Sequence, residues 1–170
     1  MAVISATPIA GNSTSMESKD ENRAAVFYST NPTGDFNASG TLASIIGTDL
    51  ANPEYIIAGK WNLVADGGNI SSFNVHFTMV SSNGTERHTH TLANFTPNAV
   101  IPLILDDQGA TFTGMADIKT DDKATWYGVQ VTATISKHDT IKIMLNQEQV
   151  NNHLKGQPIY GIVYSIRDVS

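Results

Sequence analysis

Cysteine is absent from this 170-residue chain. Its absence excludes disulfides, cysteine-ligated zinc, iron–sulfur clusters, a thiol nucleophile and a blue-copper centre, which needs a thiolate. Charge is scarce as well. Asp, Glu, Lys and Arg make up 15% of the residues, where about a quarter is usual. The 10 Lys and Arg are outnumbered by 16 Asp and Glu, for a net charge of −6, and form no cluster. A phosphate backbone finds no basic surface here, which argues against nucleic acid as a partner, and an anionic membrane surface would repel the chain. No apolar run reaches the roughly 18 residues of a membrane-spanning helix. There is no G-x-S-x-G elbow and no phosphate-cradling glycine loop.

Uncharged polar residues fill the gap. Thr is abundant and favours strands, while the many Asn and Ser belong to turns. Asn12, Asn37, Asn69, Asn83 and Asn94 each open an N-x-S/T triplet; Asn31 is followed by Pro and does not. Such triplets are glycan acceptors only in an exported chain, so together with the low charge they predict a secreted or cell-surface protein. The start, Met1 to Gly11, lacks a basic n-region and a long enough apolar stretch for a signal peptide. The expectation is therefore a mature form.

Residues 1–23 are polar, aperiodic and end in the charged run Glu17 to Arg23, which reads as a flexible leader before a single domain over residues 24–170. Ala24–Tyr28 fits a short edge strand. Thr41–Leu50 fits either a short helix or irregular structure. From Tyr55 onward eight runs follow, Tyr55–Ala65, Ile70–Val80, Glu86–Phe95, Ala99–Leu105, Ala110–Lys119, Thr125–Ser136, Thr140–Asn146 and Pro158–Ile166, separated by Gly, Asn, Asp and Pro turns. Alternation is plain in several: Phe73, Val75, Phe77 and Met79 lie on one strand face, as do Val129, Val131, Ala133 and Ile135. One apolar face per strand and frequent turns predict an all-β fold, an antiparallel β-sandwich of about seven to nine strands, Ig-like or cupredoxin-like, with little helix.

The best chemistry-bearing stretch is Arg87-His88-Thr89-His90-Thr91. Residues two apart on a strand share a face, with Cβ atoms roughly 6–7 Å apart. Two imidazoles so placed can hold one ion, and a third completes a three-histidine site with an open position. The chain offers His76, His138 and His153. His153 precedes the last strand, where a loop at the sheet rim suits a third ligand. His138 lies at a tight turn beside Asp139, where an ordinary surface histidine is the preferred reading. A two-residue Asn83-Gly84 turn would set Phe77 opposite His90 and point His76 away; an odd-length loop would set His76 against His90. Asn-Gly is the stronger hairpin signal, which reads His76 as an exposed polar residue. Asp106-Asp107 and Asp121-Asp122 offer oxygen ligands for Ca²⁺ but sit in turns, where Asp is favoured anyway. Trp61, Trp126, Tyr127, Tyr160 and Tyr164 fit either a carbohydrate platform or plain packing.

Ala58-Gly59-Lys60-Trp61-Asn62-Leu63, Phe77-Thr78-Met79-Val80, His88-Thr89-His90-Thr91-Leu92-Ala93-Asn94-Phe95, Thr134-Ile135-Ser136-Lys137, and His153 with Gly156-Gln157-Pro158-Ile159-Tyr160-Gly161 resemble a group of exported proteins of ammonia-oxidising archaea, over about residues 50–166. The resemblance carries no activity with it. It implies export and an archaeal cell-surface setting, groups His88, His90 and His153 as a set, and makes copper a natural ion given those organisms' copper-rich metabolism.

Two functions compete. In the first, three neutral imidazoles hold Zn or Cu, and a metal-bound water with its pKa lowered towards 7 attacks an ester, lactone or CO₂; the open position would also take a small anion. The sequence assigns no catalytic residue; Glu86 and Asp139 are merely near in sequence. In the second, the chain is a structural or adhesive surface module without chemistry.

Overall fold

The computed structural model describes residues 35–99, 109–121, 123–136 and 139–168. They form eight strands: β1 (Phe36–Ile46), β2 (Tyr55–Asp66), β3 (Asn69–Ser81), β4 (Arg87–Pro97), β5 (Ala110–Thr120), β6 (Lys123–Ser136), β7 (Thr140–Leu145) and β8 (Ile159–Asp168). No described residue is helical, so no helix there is long and apolar enough to cross a membrane. Each strand pairs antiparallel with the next, and β1 also pairs with β8, closing an up-and-down barrel.

Closure corrects the expected sandwich. A sandwich strand and a barrel strand show the same alternation, because each buries one face and exposes the other. What separates the two folds is whether the first and last strands meet. Phe36–Ile46 is the strand that makes them meet, and it covers much of the stretch read as helix or irregular structure. Its buried residues, Phe36, Ala38, Leu42 and Ile46, alternate with small or polar ones that dilute the apolar signal. The leader over 1–23, the Ala24–Tyr28 strand and nearly all of the Ala99–Leu105 run lie outside the described residues.

The core is the barrel interior. Phe73, Val75, Phe77 and Met79 on β3, Val129, Val131, Ala133 and Ile135 on β6, and Ile141 and Ile143 on β7 all point inward and are buried. Phe73 meets Phe95 and Phe112 edge-on, with centroids 5.6 and 5.1 Å away, an arrangement worth about 0.5–1.5 kcal/mol per pair beyond burial.

The closing seam depends on two glycines. A Cβ on Gly40 would lie 1.8 Å from the Ile162 carbonyl oxygen, and one on Gly161 would lie 2.2 Å from that of Thr41. The β1–β8 register shifts between Ser39 and Gly40. The Trp61 indole, opposite Gly40 on β2, uses the vacant space to donate a 3.3 Å hydrogen bond to the Ile162 carbonyl. An aromatic ring covering a strand glycine restores the packing that the glycine lacks.

Strand direction alternates, so the β1–β2, β3–β4, β5–β6 and β7–β8 connections share one end of the barrel. The longest of these, residues 146–158, closes over that mouth.

Gly40→Ala should cost about 2–4 kcal/mol in urea unfolding, because the added methyl meets backbone rather than a movable side chain. Ala43→Ser, at an exposed position on the same strand, should stay within about 0.5 kcal/mol. Equal effects of the two would show that the seam tolerates a Cβ.

Candidate metal centre

The site begins with the β3–β4 turn. Asn83 accepts hydrogen bonds from the Thr85 amide and from the Ser81 and Thr85 hydroxyls, at 3.1, 2.8 and 2.7 Å, and Gly84 takes φ 75°. The resulting register puts Phe77 opposite His90, Met79 opposite His88 and His76 opposite Thr91. The loop between Ser81 and Glu86 has four residues, closed by the Gly84 amide donating to the Ser81 carbonyl at 2.8 Å, and it gives the same register as a two-residue Asn83-Gly84 turn. His76 is consequently exposed on the outer wall, with Nδ1 3.0 Å from the Thr91 hydroxyl. His88 and His90 share β4's inward face with Leu92.

His90 is 1% exposed and is the only buried polar or charged residue among the described residues. Its ring centroid lies 5.0 Å from that of Phe77 and 6.1 Å from that of Trp126, with the indole nearly parallel to it. His88 sits nearer the mouth, edge-on to Tyr55 at 6.2 Å. The Tyr55 hydroxyl donates to Glu86 at 2.7 Å.

His153 arrives from residues 146–158. Val150 and Leu154, on either side of it, are 1% and 3% exposed and peg the segment into the core. Its amide donates to the Val150 carbonyl at 3.0 Å. The backbone bends through left-handed conformations at Asn151, Asn152, Lys155 and Gly156. Its ring therefore enters the mouth, with Nε2 3.2 Å from the Nε2 of His88 and 3.0 Å from that of His90. The ligand atoms of all three lie within 4.8 Å of one another, and no other such His, Asp or Glu group occurs among the described residues.

Hydrogen bonding alone does not account for this convergence. An imidazole nitrogen carries one in-plane N–H or one lone pair, so it makes one good hydrogen bond. Two other ring nitrogens meet the Nε2 of His153. A cation satisfies three converging lone pairs at once. Nitrogens bound to zinc at 2.0–2.1 Å in tetrahedral geometry are roughly 3.3 Å apart, close to the two spacings that His153 makes. The ligand set is all nitrogen, so the site can hold a metal ion with a position left open.

The surroundings suit that role. The Thr120 hydroxyl lies 3.0 Å from the Nδ1 of His90. With Nδ1–H donating to Thr120, the lone pair sits on Nε2, facing the other two rings. Asp121 accepts from the Thr89 amide and hydroxyl at 3.0 and 3.1 Å, tying the β5–β6 turn to the strand that carries His88 and His90. Burial pushes the His90 pKa down from 6.5 to about 3, with His153 and His88 adding to the shift and Asp121 opposing it. Burial, then His88, also lowers His153. Both rings favour the neutral form that ligates metal.

The other sequence candidates separate. His138, Asp106, Asp107 and Asp122 lie outside the described residues, and Asp121 serves its turn. The five aromatics form no platform: Trp61 is in the core, Trp126 packs beside His90 and His153, and Tyr127, Tyr160 and Tyr164 are exposed. The sequence reading missed Thr120, Tyr55 and Trp126 as neighbours of the site. No spacing signal marks them, because they come from three other strands. No protein-family model matches the chain, nor does any curated protein or solved structure.

The depressed histidines set the metal-free protein's acid response. Between about pH 6.5 and pH 3 the unfolded chain protonates a histidine that the folded barrel keeps neutral, so stability falls as pH falls through that window. Thermal melts from pH 7 to about pH 4.5, above the ordinary carboxylate range, should show the parent losing several degrees. His90→Leu should flatten the curve. An unchanged slope in His90→Leu would refute the assignment.

Proposed function

We propose that this protein binds one divalent ion, zinc or copper, through the Nε2 atoms of His88, His90 and His153, and that the open coordination position carries a reactive water or a small anion. The observation behind this reading is that the Nε2 of His153 lies 3.2 and 3.0 Å from those of His88 and His90, and His90 is the one buried polar side chain among the described residues. Placing an imidazole there costs stability unless it is partnered, and coordination supplies that partner. Three neutral nitrogens leave the ion's positive charge intact, which lowers the pKa of bound water towards 7. The reaction class that follows is hydrolysis of a small ester or lactone at the barrel mouth. With nitrogen ligands only, a copper form would be pale, without an intense thiolate band.

Export is part of the same reading. Asn37, Asn69, Asn83 and Asn94, the sequon asparagines among the described residues, are all exposed, as glycan acceptors must be. A non-catalytic surface module is the second reading. The exposed Tyr160, Ile162 and Tyr164 along β8, with Ile45 and Ile56 on β1 and β2, favour it as a contact surface.

Calorimetric titration with Zn²⁺ and Cu²⁺ tests the site. The parent should bind one equivalent. His88→Ala, His90→Ala and His153→Ala should each weaken binding by at least about 100-fold, more than loss of an outer-shell partner usually does. His76→Ala should bind like the parent. Parent-like binding by His88→Ala and His90→Ala would rule the site out, and a bound metal without esterase or lactonase activity would leave the non-catalytic reading.

A further inference from the structure

His88 and His90 are fixed by a strand inside a closed barrel. His153 is not: it depends on the path of residues 146–158. That path contains three non-glycine residues in the left-handed region, Asn151 at φ 52°, Asn152 at 56° and Lys155 at 53°. Asn tolerates this conformation better than most residues, yet it is strained and persists only where the surroundings hold it.

The holding contacts are specific, and they come from a segment that carries no ligand. The Gly47 amide donates to the Gln157 Oε1 at 2.8 Å, and the Gln157 Nε2 donates back to the Gly47 carbonyl at 2.9 Å. Two residues closer to His153, the Lys155 ammonium pairs with both Glu54 carboxylate oxygens. Gly47 and Glu54 bound the β1–β2 connection, which is itself tied down. The Glu54 amide donates to the Ile46 carbonyl at 2.8 Å, and the Glu54 carbonyl accepts from the Ser82 amide at 3.0 Å. The β1–β2 connection thus forms a clasp that links the ligand loop to the β3–β4 turn, directly before the strand bearing His88 and His90.

The two halves of the clasp differ physically. The Gln157 contacts are part-buried and neutral. The Glu54–Lys155 pair is exposed, at 45% and 42%, so dissolved salt screens it.

We propose that this clasp sets how long a metal ion stays in the three-histidine site. Gln157 is a positioning residue for His153, and the Glu54–Lys155 pair makes release respond to ionic strength. The inference rests on the metal-binding reading above and adds its regulation. With the clasp closed, the third nitrogen is delivered in place and the ion leaves slowly. With it open, two nitrogens remain on the barrel wall and the ion leaves quickly.

The test is the rate at which a chelator strips Zn²⁺ from the loaded full-length protein, at low and at near-molar salt. Gln157→Ala should accelerate release about 10-fold or more, the usual scale for an outer-shell partner. Glu54→Gln should accelerate it a few-fold at low salt and abolish the dependence on salt, and the charge swap Glu54→Lys with Lys155→Glu should restore both. In a His153→Ala background Gln157→Ala should have no further effect, because the clasp acts through that ring; a merely structural role would accelerate release there too. Metal-free melting temperatures identify any variant that has simply lost stability, and for such a variant the background comparison decides. Release unchanged in Gln157→Ala, or accelerated equally in both backgrounds, would overturn the clasp while leaving the metal site standing. A parent that binds no Zn²⁺ or Cu²⁺ would overturn both.

Discussion

An imidazole enclosed by apolar side chains has to be given partners, and much of this molecule's mouth is arranged around that requirement. His90 points into a barrel filled with Phe, Val, Ile, Leu and Met. Its Nδ1 meets Thr120 from β5, its Nε2 meets His153 from the β7–β8 connection, and its faces lie against Phe77 and Trp126. Four neighbouring elements therefore converge on one ring. The same burial that makes the ring expensive keeps it unprotonated, which a metal ligand needs to be. Structural cost and chemical competence have one origin.

Closure of the sheet gives that arrangement its rigidity. In an open sheet β1 and β8 would be edges, and the loop entering β8 would be anchored on one side only. Pairing β8 with β1 places the end of the ligand loop beside the β1–β2 connection, where Gln157 and Lys155 find Gly47 and Glu54. The glycines at the seam let two backbones come closer than side chains would allow. Residues distant from the histidines, such as Gly40 and Trp61, thereby belong to the support of the site.

The site also divides labour between rigid and adjustable parts. Strand β4 presents two ligands in fixed register, as precise sites require. The third comes from a backbone in costly conformations, pinned by buried Val150 and Leu154 from within and by the clasp from outside. In the proposed metal form, such a division would let the ion leave by the movement of one ligand.

Local pattern alone determined a good deal of this. Alternation of apolar residues marked β2 to β8, since a strand with one buried face repeats every two residues whatever its neighbours are. The pair His88 and His90 was legible for the same reason. Asn83-Gly84 favoured a register with His76 facing out, and the structure decided it, because the loop between Ser81 and Glu86 has an even length. Other features required the tertiary structure. Sandwich and barrel share one alternation, so only the meeting of β1 with β8 decides between them, and β1's inward Gly40 and Ala38 hide its apolar face. Thr120, Trp126 and Tyr55 are remote in sequence from the histidines and reach them only through strand order. His153 could be named as a partner from its place before the last strand. The distance that makes it one depends on left-handed turns and cross-barrel contacts, and these arise from long-range packing rather than from any local rule.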